Sequence, residues 1–310
     1  MRRLPTAGLA LLLALAAAGC GSSGSGSGPA TGPRSAVTVT GAEGSKPAIK
    51  VKTPLKLKKS SSWTVDRGHG ETVRKGAPYF VDLTFADGRT GKVVASTYDQ
   101  GQKPVLFAPG HDLPAITNAV TGLPVGSRVV VAAAPQDAYG SKGNPQLGIK
   151  PGDSVVMVAD VADTVLAGPS GKAEKPPRGV PTLKTSQGGT PTGFDFTGAA
   201  KPHQLRVVTL VKGNGPKVAA GDTVVANYFG AVWGKSKPFD ESYTRGQPFS
   251  FPIGQGQVIK AWDQGVAGAT VGSRLLLLCP PGVAYGKKGS PPTIPPNATL
   301  AFVVDVLGKA

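Results

Sequence analysis

Hydrophobic and polar positions divide the chain into an apolar start, a small-residue stretch and two long segments of strand-like texture. Residues 9–18 form an unbroken apolar run of about ten residues, too short to cross a bilayer as a mature helix. Residues 21–28 are glycine and serine only, the composition of a flexible coil. Near the C-terminus, Asp222-Thr223-Val224-Val225-Ala226-Asn227-Tyr228 alternates, which predicts a strand with one buried face. Residues 204–211, 249–253, 274–279 and 299–307 read as further strands, and 257–266 as one short helix. Mostly antiparallel sheet with one helix packed on it is an α+β arrangement.

The texture repeats. Val125-Gly126-Ser127-Arg128 recurs as Val271-Gly272-Ser273-Arg274, each before an apolar run. Ala138-Tyr139-Gly140 then recurs as Ala284-Tyr285-Gly286, and a Lys-Gly pair follows in both copies. One residue is inserted in the first copy after Tyr139, and both copies end in a strand. The period is too long for a solenoid, so the repeat is a duplicated domain of roughly 100 residues. The boundaries predicted are a leader over 1–19, a flexible basic tether over 20–62, a first domain over 63–166, a linker over 167–203 and a second domain over 204–310.

Charge adds a detail to the tether. Of the formal net charge of +16, Lys46, Lys50, Lys52, Lys56, Lys58 and Lys59 form one cluster. No helix-turn-helix, zinc-finger or aromatic-basic motif accompanies it, so nucleic acid is not an expected partner. With two cysteines, Cys20 and Cys279, a disulfide framework is not the basis of the fold. Cys279 ends the apolar run before it and reads as a small buried hydrophobe. The three histidines are scattered, and no metal or cofactor is expected.

Arg2 and Arg3, the apolar run and Ala17-Ala18-Gly19-Cys20 together resemble a bacterial lipoprotein signal. The resemblance implies cleavage before Cys20 and a lipid on its thiol. The protein would then sit at the cell membrane on the extracytoplasmic face, with the Gly/Ser stretch as slack. Ala17 stands where leucine is usual, and cleavage after Ala16–Ala18 as an ordinary secretory signal is the alternative.

In the second copy, Gly221-Asp222 leads to Tyr228 and Gly230. Lys237-Pro238-Phe239-Asp240-Glu241-Ser242, Arg245 and Pro248-Phe249-Ser250-Phe251 follow. Gly256-Gln257-Val258-Ile259-Lys260-Ala261-Trp262-Asp263, Tyr285-Gly286, Ile294-Pro295-Pro296-Asn297 and Phe302 complete the pattern. This resembles an FKBP-type peptidyl-prolyl cis/trans isomerase along the whole domain. The resemblance implies a curved, mostly antiparallel sheet wrapped on one short helix. It implies a pocket of Tyr228, Phe239, Asp240, Phe249, Val258, Ile259, Trp262, Tyr285, Ile294 and Phe302, with Trp262 as floor. The Ile259 amide and the Tyr285 hydroxyl would bind substrate carbonyls. Partners implied are X-Pro-containing polypeptides and macrolide ligands such as rapamycin.

Simpler readings exist for single residues: Phe249, Phe251 and Trp262 as plain core, Asp240 as a partner for Arg245, and Tyr285 as loop packing. The chemistry agrees with the resemblance. Rotating an X-Pro bond means losing amide resonance, a barrier of about 18–20 kcal/mol. No nucleophile or metal is needed. A dry apolar pocket favours the twisted amide, whose charge separation is smaller than that of the planar one, and shape selection adds differential binding.

Transferred to the first copy, the same positions are mostly lost. Leu83 stands for Tyr228, Val105 for Phe249, Ile116 for Trp262 and Met157 for Phe302, while Tyr139 and Ile149 persist. Ala95 and Ser96 are expected in place of Phe239 and Asp240. A folded domain with little or no isomerase activity is predicted, suited to a binding or spacer role.

Overall fold

The computed structural model describes residues 32–99, 103–108 and 113–310. The leader, Cys20 and the Gly/Ser stretch lie outside these residues.

One turn of helix, α1 (Pro33–Ala36), enters a hairpin of β1 (Val37–Thr40) and β2 (Ala48–Val51). The first domain follows: β3 (Ser61–Asp66), β4 (Tyr79–Asp87), β5 (Val93–Ser96), β6 (Val105–Phe107), α2 (Pro114–Val120), β7 (Arg128–Ala133) and β8 (Val155–Thr164). A connecting stretch holds β9 (Gly171–Ala173) and the hairpin β10 (Thr182–Thr185) and β11 (Pro191–Asp195). The second domain is β12 (Arg206–Gly213), β13 (Thr223–Val232), β14 (Asp240–Glu241), β15 (Phe249–Pro252), α3 (Lys260–Val266), β16 (Arg274–Cys279) and β17 (Leu300–Lys309).

Each domain is an antiparallel sheet carrying one short helix on its inner face. The first sheet runs β3-β7-β8-β4-β5, with β6 beside β5 along β4. The second runs β9-β12-β16-β17-β13-β14, with β15 paired to β13. Cys279 is fully buried in the second core as a free thiol, and burial pushes its pKa up.

Helix α3 is shorter than the predicted 257–266. The Asp263 carboxylate accepts hydrogen bonds from the amides of Gly254 (2.8 Å) and Gly256 (3.0 Å). Both glycines have left-handed φ, 76° and 69°, so the chain before Ile259 turns instead of continuing the helix.

The expected one-sided burial of 222–228 is not observed. Val224, Ala226 and Tyr228 face the helix, but Val225 and Phe229 are buried too. The outer face has covers of its own: Phe80 of the first domain lies with Val225, and a second layer covers Phe229. Phe194 of β11 packs edge-on to Phe229 at 5.7 Å, and Phe196 lies 4.8 Å from Trp233. Residues 182–196, expected as linker, are therefore a hairpin closing the sheet's back.

The first domain has the same device. Val37, Ile49 and Leu55 are buried against Ala86, Val130, Val156 and Val158, so residues 37–57 are folded rather than a loose tether. Apolar alternation at Val37, Val39, Ile49 and Val51 gives that hairpin its inner face. Both hairpins are tied down by an arginine. Arg128 bonds Asp160 twice at 2.6 Å and donates to the carbonyls of Gly41 and Ser45. Arg274 bonds Asp305 at 2.6 and 2.8 Å and donates to the Gly189 carbonyl. The duplicated unit is thus hairpin plus domain.

The two domains share a seam. Phe80 and Val165 of the first are buried with Val225 and Leu307 of the second. Lys103 donates to Asp222 at 2.7 Å, Lys309 lies 3.1 Å from the same carboxylate, and the Leu166 amide bonds the Leu307 carbonyl at 2.9 Å.

Candidate active site

Between helix α3 and the inner face of the second sheet lies a cavity of about 450 Å³. Strand β13 supplies Tyr228, and the segment around β14 supplies Phe239 and Asp240. Phe249 comes from β15, Val258 and Ile259 from the turn before α3, Trp262 from α3, Tyr285 from the loop after β16 and Phe302 from β17. The structure thus brings nine of the ten expected residues to one wall. The tenth, Ile294, is buried in the core behind them. Gln257 also lines the cavity and was not anticipated; nothing in its residue type or spacing marks it.

Trp262 is the hub. Tyr228, Phe249, Phe251 and Phe302 surround its ring at 5.2–6.2 Å, all steeply inclined. Such edge-on contacts are the favoured geometry of aromatic pairs and add to simple burial. Phe239 stands edge-on to Phe302 at 5.5 Å. That pair needs Gly230: a Cβ there would come within 2.6 Å of the Phe302 ring and 2.9 Å of Phe239. Phe251, weighed as plain core, is core, stacked behind Phe249 at 5.4 Å.

The polar wall is a closed set. The Tyr228 hydroxyl donates to Asp240 at 2.5 Å, and Arg245 donates to Asp240 at 2.6 Å and to the Tyr228 hydroxyl at 2.8 Å. Asp240 therefore does both things weighed for it, facing the cavity and pairing with Arg245. Burial alone would raise its pKa. Hydrogen bonds from Tyr228 and Arg245 outweigh that and hold the carboxyl below the usual range. Burial, then the bond to Asp240, pushes the Tyr228 hydroxyl up to about 12. Burial, then the Asp240 charge, also raises Tyr285. The Ser242 hydroxyl accepts from the Tyr228 amide at 2.9 Å and donates to Asn227, fixing this segment to β13.

The Ile259 amide has no partner among the described residues, and the Trp262 indole N–H is buried without one. The cavity offers an apolar aromatic bowl, few donors and an ionised carboxylate already saturated by its neighbours. No His, Cys, Asp and Glu cluster suited to a metal occurs among the described residues.

The strand register corrects one alignment. Gly230 pairs with Asp240 and Phe302, and Phe85 pairs with Ala95 and Met157. Val94 and Ala95, not Ala95 and Ser96, therefore occupy the positions of Phe239 and Asp240. A signal missed in the sequence also emerges: Phe85 stands where Gly230 does. It lines a smaller cavity, about 320 Å³, with Leu83, Ala95, Ser96, Thr97, Asp99 and Val105. Ile116, Ile149 and Met157 are sealed in the core. Trp233, just past the end of β13, packs on the outer hairpin.

The sequence signature of the family described as FKBP-type peptidyl-prolyl cis-trans isomerase matches residues 70–158 and 215–307. A 39 kDa FK506-binding nuclear protein of Drosophila melanogaster is 44% identical over 102 residues, 33% of this chain and 28% of that protein. An FK506-binding protein of Streptomyces anulatus is 42% identical over 114 residues, 36% of this chain and 92% of that one. The crystal structure of AtFKBP13 is 37% identical, covering 36% of this chain and 97% of that one, with a TM-score of 0.33.

Proposed function

The chain belongs to the FKBP-type peptidyl-prolyl cis-trans isomerase family, and from that premise we propose that its second domain rotates X-Pro bonds in exported polypeptides at the membrane surface. The observation that carries the assignment to domain two is the aromatic bowl around Trp262, which the first domain lacks.

The chemistry follows from the bowl. As the X-Pro amide twists, conjugation is lost and the carbonyl becomes less polar. The low-polarity surface of Phe239, Phe249, Phe302 and Trp262 favours that state over the planar one. Each ~1.4 kcal/mol of such preference is tenfold in rate. The Ile259 amide and the Tyr285 hydroxyl hold substrate carbonyls and so fix the frame against which the bond turns. Asp240 takes no proton, because no bond to hydrogen forms or breaks; clamped by Tyr228 and Arg245, it shapes the wall. The same bowl suits the apolar ring of a macrolide such as rapamycin.

The location rests on the leader. Arg2 and Arg3, residues 9–18 and Ala17-Ala18-Gly19-Cys20 support a lipid on Cys20, with the folded domains outside the cytoplasm. The first domain, retaining its core but not its aromatics, acts as a non-catalytic grip or spacer.

The test is isomerisation of an X-Pro peptide by the full chain. Phe239→Ala and Asp240→Ala are expected to lower kcat/KM by about tenfold or more. Rates equal to wild type in both variants would remove the pocket assignment. For the anchor, metabolic labelling with a palmitate analogue is expected in the wild type and lost in Cys20→Ala; label persisting in the variant would refute it.

A further inference from the structure

Domain two holds a second opening, larger than the aromatic cavity, at about 760 Å³. It is a wedge between strand β12 and the chain that follows β9. Strand β9 pairs with residues 211–213 of β12, and the Glu174 amide still reaches the Leu210 carbonyl at 2.9 Å. Beyond that point the two chains part. Pro176 and Pro177 come next, and neither has an N–H to continue a ladder. The stretch 206–209 of β12, paired with β16 on one side, is therefore an open sheet edge on the other, with no strand against that side among the described residues. Val207 is 42% exposed on that edge, Ala269 is half-buried beside it, and Leu275 lies buried beneath them.

The rim is basic. Lys175, Arg206, Lys212 and Lys217 line the wedge against one carboxylate, Glu174. None of the four cations forms an ion pair among the described residues. The first domain keeps only part of this: the strand register puts Thr72 at the position of Lys217 and Ser61 at that of Arg206, while Arg67 stands at that of Lys212. The wedge also lies close to the bowl. Ile259 and Trp262, at the start of α3, line the bowl, and Gly268–Thr270, just past its end, line the wedge. The helix between them is about 10 Å long.

We propose that this wedge is a second polypeptide site, which takes an extended segment rich in acidic and apolar residues as an added strand on the β12 edge. An open edge supplies backbone hydrogen bonds and alternate side-chain positions supply selectivity. The cations select acidic side chains on one face, and Val207 and Ala269 select apolar ones on the other. A polyphosphate-like polymer is the poorer fit, since it uses neither the edge nor the apolar floor. The site stands whether or not the neighbouring bowl turns prolines over.

The test is fluorescence anisotropy of the full chain with a short labelled peptide alternating valine and glutamate and lacking proline. Saturable binding is expected, with no binding of the matching valine–lysine peptide. Lys212→Glu with Lys217→Glu is expected to weaken it by about tenfold or more, roughly 1.4 kcal/mol. Pro176→Val with Pro177→Thr is expected to abolish it by letting the strap zip along β12. Isomerisation of a short proline peptide at the wild-type rate in both variants would show that the fold is intact.

Binding that ignores both variants would overturn the proposal. Full displacement of the peptide by inorganic polyphosphate would reassign the wedge to polyanions. No binding by the wild type would leave the lysines as guards against edge-to-edge association, a common use of charge on open strands.

Discussion

The two domains keep the same frame and differ in what they place inside it. In both, an arginine at the start of the strand after the helix bonds an aspartate of the last strand and reaches the carbonyls of a hairpin. In both, a tyrosine hydroxyl, Tyr98 or Tyr243, donates to that aspartate. The hydroxyl of Thr97 accepts from the Leu83 amide as that of Ser242 accepts from Tyr228. Yet Tyr228, Gly230, Phe239, Asp240, Phe249, Trp262 and Phe302 become Leu83, Phe85, Val94, Ala95, Val105, Ile116 and Met157. Fold-bearing polar contacts and cavity-lining rings are thus separable sets, and only the second set distinguishes the copies.

The largest test writes the first domain's residues into the second domain's cavity. Tyr228→Leu, Phe239→Val, Asp240→Ala, Phe249→Val, Trp262→Ile and Phe302→Met together are expected to bring the full chain to the uncatalysed isomerisation rate. Activity remaining after folding is verified by circular dichroism would place the chemistry in the first domain and dissolve the contrast.

Next in size are the arginine latches, where the copies should agree. Arg128→Leu leaves the Asp160 carboxylate buried without its counter-charge, a loss of about 3–5 kcal/mol. Arg274→Leu is expected to cost a similar amount. Urea titration followed by tryptophan fluorescence reads both, Trp63 reporting the first domain and Trp262 the second. A loss below about 1 kcal/mol in either would break the equivalence of the two frames.

Gly230→Ala probes the position where glycine in the second copy answers to Phe85 in the first. Its Cβ would meet the Phe302 and Phe239 rings at 2.6 and 2.9 Å, so the pair must part. A stability cost of about 1–3 kcal/mol and a fall in kcat/KM are expected, whereas Phe85→Ala should leave kcat/KM unchanged.

The smallest effect is with pH. Asp240 has its pKa lowered, so its carboxylate form persists until pH falls through a value below the usual range. Tyr228 keeps its proton until about 12. The kcat/KM of the second domain is therefore expected to stay flat from about pH 5 to about pH 10. A bell centred near neutrality would mean a titrating catalytic group and a mechanism unlike the one proposed.

Much of this was legible in the sequence. The apolar runs 129–134 and 275–278 and the Val-Gly-Ser-Arg repeats revealed the duplication, because a strand buried on both faces leaves a continuous signal. The family resemblance, not the aromatics taken singly, named the residues that line the bowl. What stayed hidden had no local pattern. Both hairpins lie in stretches rich in Gly, Pro, Lys and Thr, and their burial depends on contacts with strands far along the chain. The polar positions of 222–228 gave no hint of burial on the second face, since Val225 is covered by Phe80, a residue of the other domain. Phe85 went unread because its meaning depends on Gly230, which only the paired register sets opposite it.

The seam at Phe80, Val165, Val225 and Leu307 bears on whether the two halves can be parted. A copy without the rings is not thereby dispensable. Deleting it would leave Val225 and Leu307, on two central strands of the second domain, open to water. The second half thus borrows part of its cover from the first, and the two make one physical unit although only one carries the rings.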